Sequence, residues 1–339
     1  MRTSFSGIIT TVLLLLTISC TQKVQDQSPQ SLLLFKGREY PFATIVDGTY
    51  YYTMQSPEDN ILLYQTNDLT TLPSCTPKVI WSPDSLKLYH FWAPEIYHFN
   101  DVWYIYFEAD DGNTDNHQLY VLENTSPNPM QGQWQMKGAL HTNDDWNFGL
   151  HPNVLQVNGE LYLLWSGWPK RRVEHETQCI YIAHLLNPWT VDSERVMLSQ
   201  PEYEWERQWI DPDGSRSAYP IYVNENPQAY LSPDQKQVIV CYSASGIWTR
   251  FHILGMLTAP ANANLLDPSV WTKEPEPVVI EEGAYGTSNI CIVPSCHGDS
   301  LYLLYEALYA ENDEDELQRS IFLKHIRWDD NGHLVFTTP

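Results

Sequence analysis

The chain has 339 residues, with 42 Asp plus Glu against 19 Lys plus Arg, a formal net charge of −23 and 13% aromatic side chains. So few basic residues, with no basic cluster among them, exclude a nucleic-acid binder, because phosphate contacts need Lys and Arg. A hydrophobic content of 43% with 18% charged residues excludes a disordered chain, and the length allows one large domain or two ordinary ones.

The first element in chain order is a leader. Arg2 precedes an apolar run from Ile8 to Ile18, broken only by Thr10, Thr11 and Thr17. This is the pattern of a secretory signal, and it is too short to span a bilayer as a helix. The run ends Thr17-Ile18-Ser19-Cys20. Small residues before a cysteine resemble the bacterial lipobox, with Cys20 as the lipidated first residue, although Thr17 stands where Leu is usual. The chain therefore divides into a lipoprotein signal peptide (1–19), a flexible Gln/Ser-rich tether (20–33) and a folded body (34–339). Loss of the leader removes one positive charge, Arg2, and takes the net charge from −23 to −24. The implied location is outside the inner membrane, periplasmic or at the cell surface, with contact to a membrane only through the lipid.

Five further cysteines follow: Cys75, Cys179, Cys241, Cys291 and Cys296. Their spacing matches no metal site. Cys179 and Cys241 lie in apolar runs and read as buried thiols. Cys291 and Cys296 flank a turn that a disulfide could bridge.

The body repeats one pattern, a polar turn followed by a short strand rich in Tyr, Trp, Leu, Ile and Val. It occurs at Asp47-Gly48 before Thr49–Thr53, Asn100-Asp101 before Val102–Phe107, and Asn158-Gly159 before Glu160–Ser166. It returns at Asp234-Gln235 before Gln237–Ser243 and at His297-Gly298 before Ser300–Tyr305. Such dipeptides mark tight hairpins, whose turns need positive φ. Ile61–Thr66, Gln118–Glu123 and Cys179–His184 read as further strands, and no helical period of useful length occurs. Five units of several strands predict an all-β fold, a five-bladed β-propeller with its ligand site on the axis; a pair of β-sandwiches is the alternative.

The order of several motifs sharpens this. They are Phe91-Trp92-Ala93-Pro94-Glu95, Tyr106–Asn116, Gly159–Gly167, Asn187–Thr190, Val196–Trp205, Tyr242–Trp248 and Leu265–Pro277. Together they resemble glycoside hydrolase family 43, more narrowly its α-L-arabinofuranosidase-like members, over roughly Tyr40 to Trp328. The resemblance implies a five-bladed propeller that cuts arabinose- and xylose-containing plant polysaccharides by inversion. One acid protonates the leaving oxygen, one carboxylate activates water, and a third carboxylate tunes the acid.

The family pattern transfers only in part. Glu225, in Asn224-Glu225-Asn226-Pro227, matches the general acid, with Asn226 where Gly is usual. In Glu39-Tyr40-Pro41, Tyr40 stands at the position of the general base. A phenol, with an ordinary pKa near 10, is a poor base at neutral pH. Glu39 is its neighbour, but alternation along a strand predicts that it points to the other face. In Leu150-His151-Pro152-Asn153, His151 stands at the position of the tuning Asp. Asn289 replaces the family's axial His, so no metal is expected, a central calcium included, and no other cofactor is implied. Asp110, Asp111 and Asp115 read as a solvated loop. Trp92, Trp165, Trp168 and Trp248 are candidates to stack on sugar, each with core packing as its plainer role. Glu95, Asn224 and Asn289 complete the expected binding set, and Glu95 is also a candidate replacement carboxylate.

Two functions follow. One is a glycosidase acting on arabinose- or xylose-containing plant polysaccharide or oligosaccharide, with Glu225 as acid and a non-standard base, Tyr40 and His151 acting together being one possibility. The other is a surface lipoprotein that binds glycans without cutting them, having lost its base and tuner.

Overall fold

The computed structural model describes residues 31–82, 87–144, 147–170, 176–210, 220–296, 298, 300–308 and 319–336. The leader, Cys20 and most of the tether lie outside the described residues. The described chain is all-β, with four short 3-10 turns and no α-helix among those residues. Its aromatic and β-branched runs fit a pleated, half-buried surface.

The strands fall into antiparallel units. After β1 (Leu32–Lys36), the first unit is β2 (Phe42–Val46), β3 (Thr49–Gln55), β4 (Ile61–Thr66) and β5 (Lys78–Trp81). The second is β6 (Tyr89–Phe99), β7 (Val102–Asp110), β8 (Gln118–Asn124) and β9 (Gln135–Ala139). The third is β10 (Leu150–Val157), β11 (Glu160–Gly167) and β12 (Glu176–Asn187), with β13 (Thr190–Val191) and β14 (Val196–Ser199) paired to β12. The fourth is β15 (Ile221–Leu231), β16 (Gln237–Ala244), β17 (Ile253–Pro260) and β18 (Thr272–Lys273). The last is β19 (Tyr285–Pro294), β20 (Leu301–Leu308) and β21 (Arg319–Trp328), with β22 (Leu334–Val335) on β21. A short parallel pairing of Glu176–Gln178 with Ile221–Val223 merges the third and fourth units into one nine-stranded sheet. The first strand, β1, joins the last unit by pairing with β21, Leu32 opposite Leu323.

Every hairpin strand expected from the sequence is present, and Ile61–Thr66 is β4 to the residue. Apolar faces of neighbouring units pack together: Phe91, Phe107 and Ile105 share a cluster with Tyr52 and Leu63. Burying one such side chain contributes about 1.5–3 kcal/mol. The five cysteines are free, and Cys179, Cys241 and Cys291 are buried. A bridge between Cys291 and Cys296 is therefore not formed; the thiol of Cys291 instead contacts the backbone of Ala43, 3.3 Å from its nitrogen and 3.4 Å from its carbonyl oxygen.

One backbone device recurs at the start of each unit. Tyr40, Ala93, His151, Asn226 and Asn289 have φ of 56°, 43°, 54°, 49° and 43°. This left-handed region costs a residue with a Cβ roughly 1–2 kcal/mol. In β6, β10, β15 and β19 the residue sits inside a break in register, where the pairing skips: Trp92 to Glu95, Leu150 to Asn153, Glu225 to Gln228, Ser288 to Cys291. In the first four units a proline follows: Pro41, Pro94, Pro152 and Pro227. The four breaks in register are β-bulges, which re-aim side chains and interrupt alternation, and Tyr40 takes the same positive φ just before β2.

Candidate active site

The bulges open onto a pocket of about 720 Å³, whose walls include Glu39, Tyr40, Trp92, His151, Glu225 and Trp248. Four of the five positive-φ residues are held through their amides by a side chain from the second strand of the preceding unit. The Tyr40 amide donates to the Glu306 carboxyl on β20, and the His151 amide to the Glu108 carboxyl on β7. The Asn226 amide donates to Ser166 Oγ at 2.9 Å, and the Asn289 amide to Ser243 Oγ at 2.9 Å. Glu108, Ser166, Ser243 and Glu306 lie at equivalent places, each opposite the residue that precedes a bulge residue in its own unit.

Glu225 is 5% exposed, and its Oε1 lies 3.8 Å from His252 Nε2. His252 is fully buried and donates from Nδ1 to Ser245 O, 2.7 Å away. Burial, then the nearby Arg319 cation, push the His252 imidazole well below its ordinary value. Burial likewise lowers His151 to about 3, with His117 adding to the effect. Both rings are neutral at physiological pH, so neither brings a positive charge to Glu225.

Tyr40 and His151 meet as tilted rings with centroids 5.0 Å apart. The His151 nitrogens face elsewhere, Nδ1 lying 3.4 Å from Ser166 Oγ and Nε2 3.8 Å from Glu108 Oε1. A shared proton between Tyr40 and His151 is thus not the basis of the contact. Burial raises the Tyr40 phenol well above 10, and Glu39, Glu225, Glu306 and Glu108 raise it further. A phenol held protonated in this way is a hydrogen-bond donor rather than a base.

The aromatic walls are fixed from behind. Trp92 stacks on His117 at 4.3 Å and packs with Phe148, Leu150 and Trp168. Trp248 donates from Nε1 to Trp209 O at 2.9 Å, and its ring lies where a Cβ on Gly246 would fall, 2.5 Å away. Only glycine permits that approach.

Other expected binding residues are not among the pocket's lining. Trp165 is fully buried, stacked on Tyr181 at 5.7 Å. Asn224 donates to Ser199 Oγ at 2.8 Å and Glu206 Oε1 at 3.0 Å. Glu95 accepts from Tyr97, from Gln228 and, at 3.0 Å, from Asn153; burial lifts it to about 8, against the lowering effect of these hydrogen bonds. Asn289 accepts from Asn226 and Ser243 at 2.9 Å each and donates to Glu306 at 3.0 Å. These side chains form a buried polar floor beneath the pocket. No group of three or more His, Cys, Asp or Glu suited to a metal occurs among the described residues. The acidic loop also differs from expectation: Asp111 is exposed and Asp115 half-buried, but Asp110 is 1% exposed, 2.8 Å from His90 Nδ1 and 3.3 Å from His117 Nδ1.

Sequence reasoning missed the holding role of Glu108 and Glu306. Their signal was a carboxylate inside an apolar strand, in Val102–Asp110 and Leu301–Leu308. It also missed Arg319, which is 2% exposed and reaches Gly286 O at 2.8 Å and Ile247 O at 2.6 Å.

A carboxyl on a rigid bulge, between walls bearing indole rings, is the equipment of a carbohydrate-active protein. The chain belongs to glycosyl hydrolases family 43, whose family model matches residues 36–334. It is 32% identical to an extracellular exo-α-(1→5)-L-arabinofuranosidase of Streptomyces chartreusis, over 77% of this chain and 76% of that protein. It is 30% identical to α-L-arabinofuranosidase 43 of Humicola insolens, over 86% of this chain; it spans 60% of that relative's length. The crystal structure of an α-L-arabinofuranosidase from Lactobacillus brevis superposes with a TM-score of 0.78 at 29% identity, covering 90% of this chain and 95% of that one.

Proposed function

We propose that the protein is an exported glycoside hydrolase that cuts O-glycosidic bonds in arabinose- or xylose-containing plant polysaccharides or oligosaccharides, with Glu225 as the general acid. The observation that carries this reading is Glu225 on the pocket wall in a bulge of the family's acid motif, in a pocket also lined by Trp92 and Trp248. The family membership and the arabinofuranosidase relatives support the substrate class. The five antiparallel units, with the first strand joining the last unit, support five blades around one axis in residues 34–339. The lipobox-like Cys20 supports a lipid tether, and the word extracellular in the relatives' names agrees with export.

In this reading a furanose or pyranose ring stacks on an indole face and its glycosidic oxygen meets Glu225. Proton donation by a positioned acid contributes about 10²–10⁴-fold. Tyr40 donates a hydrogen bond to the sugar, and neutral His151 supports the Tyr40 ring. One observation favours a second reading, glycan binding without turnover: Tyr40 and His151 fill the two places where the family pattern has carboxylates.

The test is incubation with arabinan, arabinoxylan and galactan, wild type against Glu225→Gln. Arabinose or xylose release that falls by about 10²–10⁴-fold in the variant is the expected result. Release that survives the substitution removes Glu225 from the acid role. Retention on a polysaccharide gel with no release selects the binding reading.

A further inference from the structure

Glu39-Tyr40-Pro41 and Glu225-Asn226-Pro227 are two copies of one motif: a glutamate, a residue with positive φ, then proline. In four units the residue just before the positive-φ residue lines the pocket: Glu39, Trp92, Leu150 and Glu225. Strict alternation would send Glu39 away from Tyr40, but φ of 56° at Tyr40 breaks the alternation and both side chains face the same space. This backbone is not incidental, since the buried Glu306 carboxyl fixes the Tyr40 amide.

We propose that Glu39 is the water-activating carboxylate, a second catalytic residue of this pocket that replaces the one absent at Tyr40; the proposal rests on the hydrolase reading above. Glu39 is solvent-exposed, and among the described residues its carboxylate has no hydrogen-bond or ion-pair partner, so it is free to take a proton. Glu39 and Glu225 come from the first and fourth units, which are not neighbours in chain order or in sheet pairing. The Tyr40 phenol feels both of them, since Glu39 and then Glu225 follow burial as the causes of its raised pKa. All three side chains line the same pocket. Although water reaches Glu39, partial desolvation in the pocket raises it, and the Arg319 guanidinium opposes that shift and favours the ionised form a base needs.

The step balances as a single displacement. Glu39 takes a proton from water as the water oxygen bonds to the anomeric carbon. The bond from that carbon to the leaving oxygen breaks, its electron pair stays on the leaving oxygen, and that oxygen takes the proton of Glu225. Glu39 ends protonated and Glu225 ionised, and exchange with solvent resets both. Water enters opposite the leaving group, so the product has inverted anomeric configuration.

The test compares wild type, Glu39→Gln, Glu39→Ala and Glu225→Gln on an arabino-oligosaccharide and on a nitrophenyl arabinofuranoside. Circular dichroism checks that the variants fold, which an exposed and unbonded carboxylate should not affect. Glu39→Gln should lower kcat about 10²–10⁴-fold on both substrates with little change in KM, because both need activated water. Glu225→Gln should spare the nitrophenyl substrate, whose leaving group needs little proton. Added azide should restore turnover of Glu39→Ala and give a glycosyl azide, a result that a structural role would not produce. Wild-type turnover with Glu39→Gln within about tenfold of it overturns the Glu39 assignment and leaves the hydrolase reading standing. A wild type that hydrolyses neither substrate overturns both.

Discussion

The positive-φ turns at Tyr40 and at Asn226 share a backbone and differ in what holds them. The Tyr40 amide is held by a buried carboxyl, Glu306, which also meets Asn289 at 3.0 Å and Arg319 at 3.7 Å. The Asn226 amide is held by a hydroxyl, Ser166 Oγ, at 2.9 Å. The side chains at that position diverge too. Tyr40 faces the pocket, whereas Asn226 turns into the floor and donates to Asn289 at 2.9 Å. Asparagine tolerates left-handed backbone better than tyrosine does, so the less comfortable residue has the stronger anchor. One backbone device thus either displays a side chain to ligand or ties two units together.

The largest effect should come from cutting the stronger anchor. Glu306→Ala leaves Arg319 and the Tyr40 amide without their buried carboxyl, and should cost about 3–5 kcal/mol in urea denaturation. It should also abolish turnover, because the first turn no longer presents Glu39. A stable and active variant would show that the turn persists without its anchor.

Proton linkage should come next. Burial lifts both Glu95 and Glu306 to about 8 from the ordinary carboxylate value of 4.5. The folded state therefore binds more protons than the unfolded state between those values. Stability from these groups is full below about 4.5 and is lost as pH rises through about 8. The urea midpoint should fall from pH 5 to pH 9, and Glu95→Gln should flatten that fall. A midpoint that does not move would mean that the floor carboxyls ionise at no cost.

The weaker anchor should matter less. Ser166→Ala removes the acceptor for the Asn226 amide and should cost about 1–3 kcal/mol. Because it loosens the Glu225 bulge, it should lower kcat more than it raises KM. Equal losses in both turns would erase the distinction between them.

Smallest of all is Tyr40→Phe. The ring keeps its contact with His151, and stability should change by less than about 0.5 kcal/mol. A phenol that only donates a hydrogen bond to sugar should affect KM by about tenfold or less. Loss of kcat comparable to that in Glu39→Gln would return the base role to Tyr40.

The strands were legible because hairpin chemistry is local. Asp47-Gly48 and Asn158-Gly159 with their flanking aromatic runs announce β3 and β11 without reference to the rest of the chain. The place of Glu225 on the pocket wall was legible through the Asn224–Pro227 motif. The place of Glu39 was not, because a period of two residues holds only for unbroken pleat, and the positive φ at Tyr40 is stabilised from β20, more than 260 residues away. The burial of Asp110 was hidden for the same reason, since it depends on His90 from the adjacent strand and His117 beyond a turn. Glu95 and Asn289 were placed near the axis but given to the sugar; whether they serve the ligand or the floor depends on partners from other units.

The pairing of β1 with β21 has a mechanical side. The chain enters the fold at an outer strand whose ladder runs antiparallel to the last long strand, Leu32 against Leu323 and Lys36 against Ser320. A pull along the chain from residue 31 loads that ladder in shear, so several hydrogen bonds share the force instead of opening one after another. A catalytic body on a leash would then be held by its own first strand, and the joint that bears the strain is also the one that seals the first unit to the last.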